Sequence, residues 1–209
     1  AWEQTLTASG PPPAPKGPVV HFPLDSSGNG TSDSNQPTQG TAKGESSFAE
    51  ASVASGLVLD QKGWIEYGDA FGFEKDQPFT VSAWLKINAK GGSPFGRMEN
   101  AAATRGWDVE FHGTKPSFHL ISTWPSNAIH VQCQRDLPAD SLLHFSVSYD
   151  GSGKAAGVQF FVNGQPEKVN IVVDTLTESI RTPEPFSIGR RGASGPLFAG
   201  TIDDLRIFS

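Results

Sequence analysis

Phe79-Thr80-Val81-Ser82-Ala83-Trp84-Leu85-Lys86 alternates without a break. Phe79, Val81, Ala83 and Leu85 fall on one side of the chain; Thr80, Ser82, Trp84 and Lys86 fall on the other. This period of two is the signature of a half-buried β-strand. Phe145-Ser146-Val147-Ser148-Tyr149 repeats the pattern and stops at Asp150-Gly151-Ser152-Gly153. Val158-Gln159-Phe160-Phe161-Val162 runs into Asn163-Gly164, and a further strand-like run follows at 168–173. Asn-Gly between two such runs predicts a hairpin, because a type I′ turn needs positive φ at both central residues. Pro185-Phe186-Ser187-Ile188-Gly189 and residues 200–208 supply further strands. The total is about a dozen strands with almost no helical periodicity, which predicts an all-β sandwich or barrel.

Composition agrees. The chain has 209 residues, with 23 Gly, 16 Pro and 14 Phe, and only 18% charged residues. That mix suits short strands and tight turns, and at this length roughly 70% of the unfolded surface can be buried without staples. The net charge of −6 supplies no basic face, so nucleic acid is not an expected partner. No run approaches the roughly 18 apolar residues that span a membrane, so membrane insertion is not expected either. Cys133 is the single cysteine, which excludes an internal disulfide; in Ile129-His130-Val131-Gln132-Cys133 it alternates as a small apolar residue. The chain opens Ala-Trp-Glu-Gln and reads as a piece of something longer. Residues 1–18 hold Pro11-Pro12-Pro13-Ala14-Pro15-Lys16-Gly17-Pro18, a semi-rigid linker; the globular body is expected over 19–209. Residues 26–47, polar throughout, are expected to form an ordered loop, and residues 92–104 a rim loop.

The strand segments above, with Phe161-Val162-Asn163-Gly164, Ile188-Gly189-Arg190 and Phe198-Ala199-Gly200-Thr201-Ile202-Asp203-Asp204-Leu205-Arg206-Ile207-Phe208, resemble a laminin-G-like/concanavalin A-like domain of the bacterial type. The likeness covers residues 21–209. A narrower likeness, in Gly106-Trp107-Asp108, in residues 119–129 and in residues 149–157, is to the module embedded in large secreted bacterial proteins that also carry c-type cytochrome domains. The resemblance implies a two-sheet antiparallel jelly roll, secreted or periplasmic, whose relatives bind glycans, proteins or steroids through one sheet face or its rim loops. It implies a non-catalytic accessory module, lectin-like, with the other domains of its parent chain as neighbours. No Cys-x-x-Cys-His occurs, so the chain carries no haem site of its own.

The resemblance also implies a structural Ca²⁺, commonly held by an Asp of the last-strand Ile-Asp-Asp motif and by groups of the first loop. Ca²⁺ takes six to eight oxygens. Asp25, Asp33 and Asp203 are the candidates, with Asp204 expected on the opposite face of its strand. Asp25 and Asp33 are also ordinary turn formers.

Sugar sites combine aromatic plates with planar hydrogen-bonding groups. Trp124, in the turn-rich Trp-Pro-Ser-Asn context, is the aromatic best placed for this; Trp107 alternates with Val109 and Phe111 toward a core, and Trp84 is expected under a crossing loop. Arg97, Arg105, Arg190 and Arg191 could gather at one rim, where guanidinium forks suit carboxylates and sulfates, so acidic polysaccharides stand among the expected ligands. His119 and Asn127 complete the candidate ligand set of Arg97, Arg105, Trp107, His119, Trp124, Asn127, Arg190 and Arg191. A docking domain for a protein partner is the alternative function. A glycosidase is the third, and its nearest signal is Asp108-Val109-Glu110, a carboxylate pair two apart on a strand. The Glu-x-Asp-x-x-Glu pattern of such enzymes is absent, no His-x-x-x-His or Gly-x-Ser-x-Gly occurs, and no catalytic residue is assigned.

Overall fold

The computed structural model describes residues 19–32, 37–100, 103–192 and 194–209. Residues 1–18, and with them the Pro-rich linker, lie outside the described residues, as does Asp33. Two antiparallel sheets face each other. The ten-stranded sheet runs, in spatial order, β15 (Gln165–Pro166), β14 (Val158–Val162), β13 (Leu142–Tyr149), β8 (Phe79–Ile87), β18 (Ala199–Phe208), β1 (Val20–Phe22), β2 (Gly30–Ser32) and β3 (Pro37–Thr38). β6 (Ser55–Asp60) also pairs with β18, and β5 (Ser47–Glu50) pairs with β6. The eight-stranded sheet runs β16 (Val169–Asp174), β12 (Asn127–Cys133), β11 (Lys115–Thr123), β10 (Gly106–His112), β9 (Gly92–Met98), β17 (Ser187–Ile188), β7 (Gly63–Glu66) and β4 (Thr41–Gly44). This is the expected all-β jelly roll. Among the described residues no helix is long and apolar enough to cross a membrane.

The alternation read from β8 holds: Phe79, Val81, Ala83, Leu85 and Ile87 enter the core. One continuous cluster fills the space between the sheets, with Phe22, Phe95, Trp107, Phe118, Phe145, Phe160, Phe186 and Phe198 as its largest members. Burying such rings contributes about 1.5–3 kcal/mol each, which is what drives the two sheets together. The last strand, β18, lies between β8 and β1, with Val20 opposite Ile207, so the first and last described strands are neighbours.

Three sequence expectations are corrected. Residues 92–98 are not rim loop but β9, buried at every position in the middle of its sheet. Covered on both faces, and with Gly, Ser and Pro at four of the positions in Gly92-Ser93-Pro94-Phe95-Gly96-Arg97-Met98, it has no exposed polar face to alternate with. The polar stretch 26–47 is not one loop: it contributes β2, β3 and β4 and reaches both sheets. The Asn163-Gly164 turn forms as expected, with φ of 51° and 75°. Its return strand is only Gln165–Pro166, and the run that follows becomes β16, which crosses to the other sheet and pairs with β12. Trp84 is half-buried on the outer face of β8, edge-on to His144 at 5.4 Å.

Candidate functional site

The outer face of the eight-stranded sheet carries the site, and strand register builds it. Trp107, Val109 and Phe111 of β10 point into the core, so Asp108 and Glu110 must point outward. Asp108 stands opposite His119 of β11, and His119 opposite His130 of β12. On the other side Asp108 faces Gly96 of β9, where a Cβ would meet the Asp108 Cβ at 2.5 Å. Only glycine leaves room for that carboxylate. The neighbouring row, Met98, Gly106, Ile121 and Ala128, makes a small apolar floor.

Outward here does not mean exposed. Asp108 is 0% exposed, His119 4% and Glu110 6%. Arg191 reaches over from the segment after β17: its Nε lies 3.3 Å from Asp108 Oδ2, and its Nη1 donates to Glu110 Oε2 at 2.5 Å. His119 Nδ1 meets Asp108 Oδ1 at 2.8 Å. Burial alone raises the Asp108 carboxyl, but Arg191 and then His119 outweigh it and hold it below the usual carboxylate range. The His130 ring packs 4.3 Å from that of His119. Burial, then the neighbouring His119 and His112, push His130 down to about 4. Neither ring nitrogen of His130 has a hydrogen-bond partner among the described residues.

Above this network opens a cavity of about 410 Å³, lined by Asn100, Thr104, Glu110, His112, His119, Trp124, His130, Arg191 and Pro196. Its volume is that of a small-ligand cleft. Trp124 forms one wall, 40% exposed, with its ring 5.7 Å from His130 and 6.1 Å from His119. An aromatic left this open beside buried polar groups is the arrangement that stacks on a ligand while the polar groups orient it.

Of the eight expected ligand residues, His119, Trp124 and Arg191 converge on this cavity. The others are engaged elsewhere. Trp107 is 1% exposed, its indole N–H donating to Phe71 O, so no face of it is left for a ligand. Arg97 is 5% exposed and donates to Asp69 Oδ1 and to the carbonyls of Ala70 and Thr182. Arg105 donates from Nε to Ser122 O. Asn127 holds the segment that follows β16, donating to Thr177 Oγ1 and accepting from Thr177 N and Glu178 N. Arg190 lies 4.2 Å over the Trp64 ring. The arginines therefore do not gather at one rim. Glu110, His112 and His130 enter the lining unanticipated. The signal for Glu110 was present in Asp108-Val109-Glu110, which alternates against a core face.

Asp108, Glu110 and His119 each place a ligand atom within 4.8 Å of the others. The guanidinium of Arg191 already supplies a cation there and meets both carboxylates, so the cluster is read as a charge network and not as a metal site. At the other sheet, Asp203 is 0% exposed, and its Oδ2 accepts from Ser52 N at 2.9 Å and Val53 N at 2.7 Å. Asp25 Oδ1 accepts from Ser55 N at 3.1 Å, at the end of the same turn. Asp203 Oδ1 is buried without a hydrogen-bond partner among the described residues. Burial raises the Asp203 carboxyl, the Val53 and Ser52 N–H groups oppose this, and Asp204 and Asp25 raise it further. Asp204, at φ 50° beside a register shift, turns to the opposite face and meets His21 Nε2 at 2.5 Å.

No curated protein matches the chain. Among solved structures, domain 4 of AbnA, an extracellular GH43 arabinanase from Geobacillus stearothermophilus solved with arabinotriose, is similar at TM-score 0.59 and 17% identity, over 92% of each chain. The binding domain of botulinum neurotoxin serotype C1 is similar at TM-score 0.64 and 12% identity, and that of Paraclostridial mosquitocidal protein 1 at TM-score 0.62 and 10% identity. Both comparisons cover 92% of this chain and 48% of the toxin chain. At these identities the likeness is one of fold. The model of the concanavalin A-like lectin/glucanases superfamily of laminin-G type matches residues 59–209, most of the jelly roll including every strand that lines the cavity, and the chain belongs to that family.

Proposed function

We propose that this chain is a non-catalytic carbohydrate-binding module of a larger secreted protein. The saccharide lies in the Trp124 cavity on the outer face of the eight-stranded sheet. The observation that carries this reading is the exposed Trp124 standing beside buried, oriented polar groups, Glu110, His119 and Arg191. The arabinotriose complex of a similar domain supports the class of ligand. Against hydrolysis, a general acid needs a raised pKa, whereas Asp108 is held ionised and both carboxylates are clamped by one guanidinium.

Residues 1–18 tether the body, residues 19–209, to the other domains of a secreted parent of the kind that carries c-type cytochrome domains. Asp25 and Asp203 hold a structural Ca²⁺, for which the partnerless buried Asp203 Oδ1 and the nearby Asp25 carboxylate provide hard oxygen ligands. The ion would neutralise two close carboxylates and pin the 51–54 turn to β18.

The test is retardation in native gels cast with a panel of polysaccharides. Selective retardation that Trp124→Ala abolishes without unfolding supports the site. If no polymer retards the protein, the docking reading replaces it. Its support is β16, an edge strand with Ile171 54% and Val172 53% exposed.

A further inference from the structure

Resting on the glycan-binding reading, we propose that the Trp124 cavity selects neutral saccharides and rejects uronate- and sulfate-bearing ones. The sequence also admitted an arginine-rich rim suited to anions. The structure removes each of those arginines from that task. Arg97 is enclosed and bonded to Asp69 and two carbonyls. Arg105 is directed at Ser122 O, and Arg190 at the Trp64 ring. Arg191 alone lines the cavity, and it faces two carboxylates at once. One guanidinium between two anions has no net positive field to offer a third.

What the wall offers is acceptor capacity at Glu110 beside uncharged groups, the Thr104 hydroxyl and the His130 ring, which have no hydrogen-bond partner among the described residues. A carboxylate offers about four lone-pair sites. Among the described residues Glu110 meets Arg191 and, at 3.6 Å, His112, so it keeps sites for hydroxyl donors. Hydrogen bonds to an ionised acceptor are the stronger kind. A sugar hydroxyl can donate to Glu110, whereas a ligand carboxylate or sulfate cannot donate and meets like charge at a carboxylate only 6% exposed. Behind the wall, Asp108 acts through His119 and Arg191, keeping both in place. The other lining groups include no lysine and no second arginine: Asn100 donates to Ser194 Oγ, the Thr104 hydroxyl is uncharged, and the His130 ring is neutral near pH 7.

The experiment holds the polymer constant and changes its charge. Neutral polysaccharides (arabinan, galactan, xylan, mannan, β-glucan) and the carboxymethylated and sulfated derivative of each are cast in native gels at two ionic strengths. The wild-type chain is run beside Glu110→Gln and beside Glu50→Gln, a surface change of equal charge far from the cavity. The expected result is retardation by one or more neutral polymers and its loss with their charged derivatives. Glu110→Gln should weaken the neutral interaction roughly tenfold, as loss of a charged acceptor implies, while Glu50→Gln leaves it unchanged. Retardation by a charged derivative equal to or stronger than by its neutral parent overturns the selectivity and leaves the glycan reading standing. An equal response to Glu50→Gln and Glu110→Gln overturns it too, since overall charge would then be the cause. Absence of retardation by every polymer removes the glycan reading together with the selectivity built on it.

Discussion

Arg191→Met tests whether the site's charge network is also a structural keystone. At 3.3 Å from Asp108 and 2.5 Å from Glu110, the guanidinium contributes a gross attraction of about 5 kcal/mol or more per carboxylate at an effective dielectric near 20. Much of that offsets the cost of bringing three charges out of water. Removing the cation leaves the offset unmet, because Asp108 is 0% exposed and its neighbours cannot move aside for solvent. Breaking a buried pair from one side typically costs about 3–5 kcal/mol. For a domain of this size each kcal/mol shifts Tm by about 2–4 °C, so Arg191→Met should melt roughly 6–20 °C lower in differential scanning fluorimetry at pH 7. Asp108→Asn in the same background should recover part of the loss, with a coupling of about 2 kcal/mol in the double-mutant cycle. The pH dependence has a definite sign. In the wild type the Asp108 carboxyl is held low, so its contribution is present above the ordinary carboxylate range and is lost as pH falls below it. Without Arg191, burial dominates and raises that carboxyl, so the penalty is present at neutral pH and relieved on acidification. The gap between the two proteins should therefore narrow as pH falls. A variant melting within 1 °C of wild type at pH 7, or a cycle with no coupling, would refute the keystone role.

Trp124→Ala should weaken polysaccharide retardation at least tenfold while lowering Tm by no more than a few degrees, since the ring is 40% exposed and its removal opens no core cavity. Calcium at 100 times its dissociation constant should add about 2.7 kcal/mol of stability, read as a rise in Tm that EDTA reverses and Asp203→Asn eliminates. In EDTA the raised Asp203 carboxyl carries a penalty at neutral pH, relieved as pH falls through its raised value, so metal dependence should be largest near neutrality. His130 has the opposite sign. Pushed from 6.5 to about 4, it leaves stability intact above 6.5 and removes it progressively between those values as the unfolded chain takes up the proton. His130→Asn should flatten thermal melts over that window, with Asp108, His119, His112 and Arg191 as the charged or titratable neighbours common to both proteins.

Periodicity made the inner faces legible because burial repeats along a strand. Phe79 to Ile87, and Trp107 with Val109 and Phe111, carry their orientation in the order of residues alone. β9 escaped because a strand buried on both faces, Gly92 to Met98, has no such contrast. β16 escaped because its sequence states that it is a strand but not which sheet receives it; Gln165–Pro166 ends the hairpin after two residues and sends the chain across. The site needed a kind of information that periodicity does not hold, namely cross-strand register. Asp108, His119 and His130 are neighbours because three consecutive strands pair in one register, and a shift of one residue would turn the row into the core.

The arginines show the same boundary from the other side. Residue type correctly marked Arg97, Arg105, Arg190 and Arg191 as planar donors, but a guanidinium's role is decided by the acceptors that the fold delivers to it. Arg97 receives carbonyls from positions 70 and 182, far away in sequence, and becomes a brace. Arg191 receives two carboxylates from a strand about eighty residues earlier and becomes a counter-ion. Neither acceptor set leaves a trace near the arginine in the chain. A rim at which four arginines could have gathered thus resolves into one arginine, Arg191, held by two carboxylates beside an aromatic wall. That conversion removes the arginine cluster on which acidic polysaccharides stood among the expected ligands, while leaving the expected aromatic, Trp124, where a ligand can reach it.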